Sequence, residues 1–378
     1  MKKFQQNLWL TFSFCWFATC SLFAQNTPEV DIGGALRFNY NLSSWKPEQK
    51  RRGGDFGYDM FRINAVAAYQ GIYVNAEYRL YSQAFGGGML KQGWFGYRFN
   101  EIKELQVGLT QVPFGIQQYN SHNWFFNLGY YVGLEDDHDM GIKYMHLGEQ
   151  WEYQVAYFKN AEELRFGDAS AVSPSRYSYD VAGNNKEVHQ ANIKLLYKWG
   201  DSTRSRLGFS GQYGGLYNIE TKETGDHYAL AVHYEAGYKL WNLKTEAMLV
   251  SHRPEDAEGT SEETITMAAY GAPYEVAADF NLYTLAVARD VPVSWGPVSN
   301  LQFYNDFGYM QKAQSGFEDS VMNVTGILVT AGNLYTYIDY AAGYNHSWLG
   351  GNFVNDFAAG NPNAKWEARF NINFGYYF

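Results

Sequence analysis

Ala368-Arg369-Phe370-Asn371-Ile372-Asn373-Phe374-Gly375-Tyr376-Tyr377-Phe378 closes the chain, and from Arg369 onward every even position is apolar while four of the five odd positions are polar or glycine. A strand sends successive side chains to opposite faces. Phe370, Ile372, Phe374, Tyr376 and Phe378 therefore share one surface, and Arg369, Asn371 and Asn373 share the other. One face suits hydrocarbon and the other suits water, as the wall of a membrane β-barrel requires.

The same alternation recurs upstream. Sixteen segments read as strands, at about 30–40, 58–69, 72–80, 89–99, 104–110, 139–146, 151–158, 186–199, 204–216, 227–240, 242–251, 277–289, 298–309, 320–330, 334–345 and 365–378. Connections after the second, fourth, sixth, eighth, tenth and fourteenth segments are about one to four residues long, as at Gln70-Gly71 and Gly332-Asn333, and the one after the twelfth is somewhat longer. Those after odd segments run from about eight to nearly thirty residues. This pattern predicts an all-β fold, a 16-stranded antiparallel transmembrane β-barrel with short periplasmic turns, long external loops and both termini periplasmic. An even count closes the sheet, and closure matters because hydrocarbon offers no water to an unpaired amide. Sixteen strands leave a lumen too wide for side chains to fill. A soluble sandwich or lipocalin-like barrel would share the short strands but would leave the features of composition and termini unexplained. Residues 41–57 and 251–263 are polar, charged loops, and no internal domain boundary is evident.

Aromatic residues make up 18% of the chain, with 32 Tyr and 26 Phe, a load suited to girdles at two membrane interfaces. Mean hydropathy is low because half of each spanning strand faces water. At the N-terminus, Lys2 and Lys3 precede an apolar run from Leu8 to Phe23, and Leu22-Phe23-Ala24 precedes Gln25. That layout predicts a secretory signal over residues 1–24, cleaved after Ala24, with 25–378 as the barrel. Cys15 and Cys20 lie inside the signal, so the mature chain is expected to carry no thiol chemistry. Lipidation at Cys20 is the rival, and Phe17-Ala18-Thr19 is a poor approach to it. Net charge is −10, or −12 without Lys2 and Lys3, which argues against nucleic acid as a partner. No cofactor is expected. The terminal Phe378 resembles the C-terminal insertion signal of Gram-negative outer-membrane proteins, which implies the barrel assembly machinery as a partner and outer-membrane lipid and lipopolysaccharide as surroundings.

The connection over residues 111–138 is long and aromatic. It contains Pro113-Phe114-Gly115, Trp124-Phe125-Phe126 and Tyr130-Tyr131 before ending in Glu135-Asp136-Asp137. So much apolar surface gains nothing in solvent, so this third external loop is expected to fold inward and constrict the pore, presenting Gln117, Gln118, Tyr119, Asn120 and Tyr130 to the solute. Val107-Gly108-Leu109-Thr110-Gln111-Val112-Pro113-Phe114-Gly115, followed by Asp139-Met140-Gly141, is similar to the Val-Gly-Gln-x-Lys-x-Pro-Phe-Gly region of the phosphate-selective porin O and P family. The resemblance implies a sixteen-stranded, trimeric outer-membrane channel. Ala65 and Ala67, on the outer face of the second segment, are small enough for a subunit contact. The family's basic residue before the proline is replaced by Gln111 and Val112, and the loop through His138 has no Lys or Arg. Phosphate selectivity is therefore not carried over.

Parity assigns twelve bases to the lumen, namely Arg37, Arg62, Arg79, Arg98, Lys143, Lys194, Lys198, Arg206, Lys239, Lys244, Lys365 and Arg369. Eight acids stand against them: Asp31, Glu77, Glu152, Glu235, Glu246, Asp306, Asp339 and Glu367. Arg37, Arg62, Arg79 and Arg98 would form a basic stripe opposite the loop and favour anions, because guanidinium stays charged and binds oxyanions in bidentate fashion. If these charges instead pair across strands, a pore of little selectivity results. Glu135, Asp136, Asp137 and Asp139 offer hard oxygen ligands for calcium, without the glycine-centred spacing of a calcium hand; a solvated mouth, or divalent bridging to lipid headgroups, is the other reading. Catalysis is not expected, since His146, His227, His233 and His252 are scattered and no Gly-x-Ser-x-Gly elbow is present. The expected activity is passive diffusion of small hydrophilic solutes, with at most a mild preference for anions such as phosphate, and the alternative is a closed or plugged barrel acting as a scaffold, adhesin or partner-binding protein.

Overall fold

The computed structural model describes residues 28–162, 167, 170–200 and 204–378; the expected signal segment 1–24 lies outside them. Among the described residues there are nineteen strands. The first seven are β1 (Glu29–Ser43), β2 (Asp55–Tyr69), β3 (Ile72–Leu80), β4 (Gly88–Asn100), β5 (Lys103–Gln111), β6 (His138–Leu147) and β7 (Trp151–Ala161). Next come β8 (Asp180–Val181), β9 (Asn185–Trp199), β10 (Ser205–Asn218), β11 (Thr224–Tyr238), β12 (Trp241–Arg253), β13 (Thr264–Ala269) and β14 (Ala272–Ala277). The last five are β15 (Asp279–Trp295), β16 (Val298–Lys312), β17 (Ser320–Ala331), β18 (Leu334–Tyr344) and β19 (Glu367–Tyr377). All except β8, β13 and β14 form one closed antiparallel barrel in which β1 joins both β2 and β19. The sixteen segments expected from alternation are these sixteen barrel strands. The connection from β10 to β11 is only residues 219–223, shorter than expected of an odd-numbered loop, because both strands extend past the predicted ends.

Alternation sorts the wall as expected. On β19, Phe374 and Tyr376 are exposed while Asn371 and Asn373 are buried. At the short-turn end, exposed Tyr69, Tyr97, Trp151, Tyr238, Trp241 and Trp295 form an aromatic ring about the outside. Gln70 and Gly71 both have positive φ, 49° and 82°, the backbone of a two-residue turn whose twist matches that of β2 and β3. The seam closes where Phe378 N–H donates to Gly34 O and Gly34 N–H donates back to Phe378 O. A Cβ at Gly34 would strike the Phe378 ring and Arg62 O, so this approach needs glycine.

Register shifts break strict alternation at several points along the wall, and two of them re-aim charged side chains. The register shift opposite Arg37 and Phe38 reverses parity on β2: Phe56 and Tyr58 are exposed before it and Ile63 after it. Asp59 and Arg62 thereby reach the same inner face. On β4, the shift at Glu77/Tyr78 of its partner turns Lys91 inward although the exposed Phe95, Tyr97 and Phe99 share its parity.

The remaining strands form a small antiparallel sheet in the order β14-β13-β8. It belongs to the long-loop end. Tyr130 and Tyr131 pack there with Tyr179, Tyr270, Tyr274 and Phe357 in a buried aromatic cluster. Tyr130 stacks on Phe126 at 4.0 Å, and Tyr81 meets Tyr270 at 5.0 Å. Each such pair contributes about 0.5–1.5 kcal/mol beyond burial.

Candidate functional site

The segment between β5 and β6 is held by side chains on the buried parity of the wall. Gly115 N–H donates to Ser210 Oγ at 3.1 Å, and a Cβ at Gly115, whose φ is 54°, would collide with the Glu246 carboxylate. Lys194 Nζ and Gln154 Nε2 donate to Gln117 Oε1 at 3.0 and 3.3 Å. Lys244 Nζ donates to the carbonyls of Tyr119 and Ser121 at 2.6 and 3.1 Å. Asn120 Nδ2 donates to Glu246 Oε2 and Thr284 Oγ1 at 2.8 and 2.9 Å. Asp306 receives the backbone N–H groups of His122 and Asn123 at 2.6 and 3.1 Å and Asn123 Nδ2 at 2.7 Å, while Trp124 N–H reaches Asp339 Oδ2 at 3.4 Å. These partners come from β7, β9, β10, β12, β15, β16 and β18, one continuous arc once β11 and β17 are included. Carboxylates that accept several N–H groups hold backbone more firmly than neutral acceptors.

The opposite arc, β19-β1-β2-β3, carries the arginines. Arg37, Arg62, Arg79 and Arg369 line a cavity of about 310 Å³ together with Asp59 and the rings of Tyr81, Tyr119, Trp124, Phe126 and Tyr337. Four guanidinium groups thus face one carboxylate across the cavity wall. Arg37 Nε sits 2.8 Å from Asp59, and Arg79 sits 2.6 Å from Glu77, which Arg62 approaches at 3.5 Å. Three of the guanidinium groups also lie over rings, Arg62 on Tyr377 at 5.2 Å, Arg79 on Tyr177 at 4.6 Å and Arg369 on Trp45 at 5.0 Å. A larger cavity of about 720 Å³, lined by Trp45, Lys46 and Gln49 from the first long loop, shares Asp59, Phe85, Trp124, Trp348 and Arg369 with the smaller one.

No protein-family model matches the chain, and no curated protein matches it in sequence. Solved structures do match. The trimer form of OmpT, an outer membrane protein of Vibrio cholerae, aligns with a TM-score of 0.59 at 13% identity, covering 93% of this chain and 100% of that one. An anion-selective porin from Comamonas acidovorans aligns at 0.60 and 11% identity over 93% and 100%. The outer membrane channel DcaP of Acinetobacter baumannii aligns at 0.59 and 10% identity over 93% and 98%. The chain has the outer-membrane porin fold. At these identities the likeness is one of fold, and it does not single out the phosphate-selective O and P family that the run at Val107–Gly115 resembles.

Within the porin fold the sequence-picked bases separate into groups. Arg37, Arg62, Arg79 and Arg369 meet at the cavity. Lys194 and Lys244 bond the 111–138 segment, and Lys143 Nζ donates to Gln111 O at 2.8 Å at its start. Arg98 lies away from them, exposed and 3.8 Å from Glu104, and Arg206 is exposed beside Lys198 and Glu235 in the register. Of the loop residues, Phe114 is buried, and Tyr130 is buried with its hydroxyl 3.1 Å from that of Tyr270. Pro113 and Gly115 flank Phe114 in the same buried run. The four acids do not gather as one group. Glu135 accepts Asn120 N–H at 3.0 Å, and Asp136 accepts from Lys91 Nζ at 2.7 Å and Tyr177 OH at 2.6 Å. Asp137 and Asp139 instead meet Asp180. Asp59 and Lys91 were not legible as inner-face residues, because both lie at bulges where strict alternation points them to lipid; a charged residue on an otherwise apolar parity was the available signal.

Proposed function

We propose that the chain forms a water-filled outer-membrane channel for passive diffusion of small hydrophilic solutes, with a preference for anions, and that residues 111–138 cross the lumen as its constriction. The observation that carries this reading is the cavity lined by four arginines and one aspartate, set across from the arc to which the segment is bonded. Selectivity in such a pore follows the charge of its lining and its width. The Asp59 and Glu77 pairs reduce the field without cancelling it, so the preference is mild and extends to phosphate only as one small anion among others. Short turns at one end and long loops at the other support periplasmic termini, and the exposed apolar band supports a lipid and lipopolysaccharide setting reached through the barrel assembly machinery. The trimer form of one structural neighbour supports a homotrimer. No enzymatic role is proposed. The packed aromatic cluster at the long-loop end favours a second reading, a closed barrel serving as scaffold or adhesin.

Reversal potentials across a planar bilayer in a potassium chloride gradient test both readings. The wild-type channel is expected to favour chloride, and the Arg62→Gln and Arg79→Gln pair to lose that preference. Cation preference in the wild type would overturn the anion reading, and absence of conductance from a folded barrel would favour the closed one.

A further inference from the structure

We propose that Asp137, Asp139 and Asp180 bind a hard divalent cation, calcium, which clamps the end of the 111–138 segment to the small sheet at the long-loop end. The three carboxylates come from separate places, the loop just before β6, the start of β6, and β8. One oxygen from each lies within 4.8 Å of the others. Calcium takes oxygens at 2.3–2.6 Å, so two ligands on opposite sides of one ion stand roughly 5 Å apart. The spacing therefore suits one shared ion.

All three residues are at most 8% exposed, and the buried acids Glu162 and Glu187 adjoin them. Arg176 pairs with this group, with Nη2 3.2 Å from Asp180 Oδ2. The Arg176 guanidinium carries one positive charge against five buried carboxylates, and a buried carboxylate is strongly unfavourable unless it is paired or coordinates a metal. Existing hydrogen bonds leave ligand oxygens over. Asp137 Oδ1 accepts His138 N–H at 2.8 Å, Asp180 Oδ1 accepts Val181 N–H at 2.7 Å, and Asp139 Oδ2 accepts Gln190 Nε2 at 3.3 Å. Asp139 is 1% exposed, and its Oδ1 has no hydrogen-bond partner. A buried carboxylate oxygen without a donor, placed among other carboxylates, points to a cation. An all-oxygen set without His or Cys selects a hard ion, and irregular spacing from three elements suits calcium better than octahedral magnesium.

Terbium luminescence, sensitised by neighbouring tyrosines, and calorimetric titration with calcium chloride would be run on refolded, chelator-treated full-length protein. The expected result is saturable binding of one calcium per chain, terbium displaced by calcium, and a higher unfolding temperature with calcium than with chelator. The Asp139→Asn and Asp180→Asn pair is expected to weaken binding roughly a hundredfold by removing two of the ligand charges. Absence of saturable binding in the wild type, or unchanged affinity in the paired variant, would overturn the proposal. If the pair does not fold, Asp180→Asn alone and the wild-type titration decide it by the same criteria.

Discussion

His346 is fully buried, with the rings of Phe357 and Tyr131 at 4.7 and 4.9 Å and its Nδ1 accepting Trp348 N–H at 3.2 Å. Burial holds its pKa down from 6.5 to about 3. The group is neutral when folded and readily protonated when unfolded, so its contribution is fully present above pH 6.5 and declines as pH falls toward 3. The decline is about 1.4 kcal/mol per pH unit within that window. Amide exchange at Trp348 and Leu349 should therefore quicken as pH is lowered from 6.5 to 4.5, after correction for intrinsic exchange, while the exchange of β16 amides stays slow. His346→Leu should remove this dependence. A flat wild-type profile would show that the imidazole is not held neutral by its surroundings.

The strand is the element that carries this fold, and each one is legible by its two faces. Leu285 lies midway along β15, exposed on the outer face, while Thr284 and Ala286 beside it are buried. Leu285→Arg would place a charge in the apolar band and is expected to destabilise the barrel by about 2–4 kcal/mol if it lies at the bilayer midplane. Heat-modifiability on gels and urea titration in lipid vesicles would measure it. Thr284→Leu is the contrasting change. It leaves the lipid face intact but removes an acceptor of Asn120 Nδ2, so it should alter channel noise more than barrel stability. Equal loss from both variants would mean that the assigned outer face is wrong. Alternation identified all sixteen barrel strands but not β8, β13 and β14. Met267 and Ala268 pair with Val181 and Asp180, partners so distant in sequence that no local period announces them.

Across the whole molecule, closure of the sheet divides an acidic chain into regions of opposite character. The carboxylates of Glu246, Asp306 and Asp339 are occupied by the 111–138 segment, and the arginines of β1, β2, β3 and β19 border open space. A net charge of −10 therefore coexists with a basic cavity. If the barrel assembles as proposed, single insertion events in a bilayer should give three equal conductance steps. Phosphate added to the chloride electrolyte should reduce current modestly, by occupying the arginine cavity. Single steps from a cross-linked trimer would mean that the protomers do not each carry an independent pore.

Local chemistry was enough for the barrel. Period-two alternation and short turns such as Gln70-Gly71 are properties of neighbouring residues, and lipid on one side with water on the other forces them to repeat. The arginines Arg37, Arg62, Arg79 and Arg369 were visible for the same reason. Their meeting at one cavity was not, since it depends on β1 pairing with β19 at opposite ends of the chain. Asp59 and Lys91 turned inward only through bulges. The grouping of Asp137, Asp139 and Asp180 needed the small sheet to fold back over the loop. Side-chain direction along a regular strand is a local property, whereas bulges, closure and loop docking are settled by contacts between residues far apart in sequence.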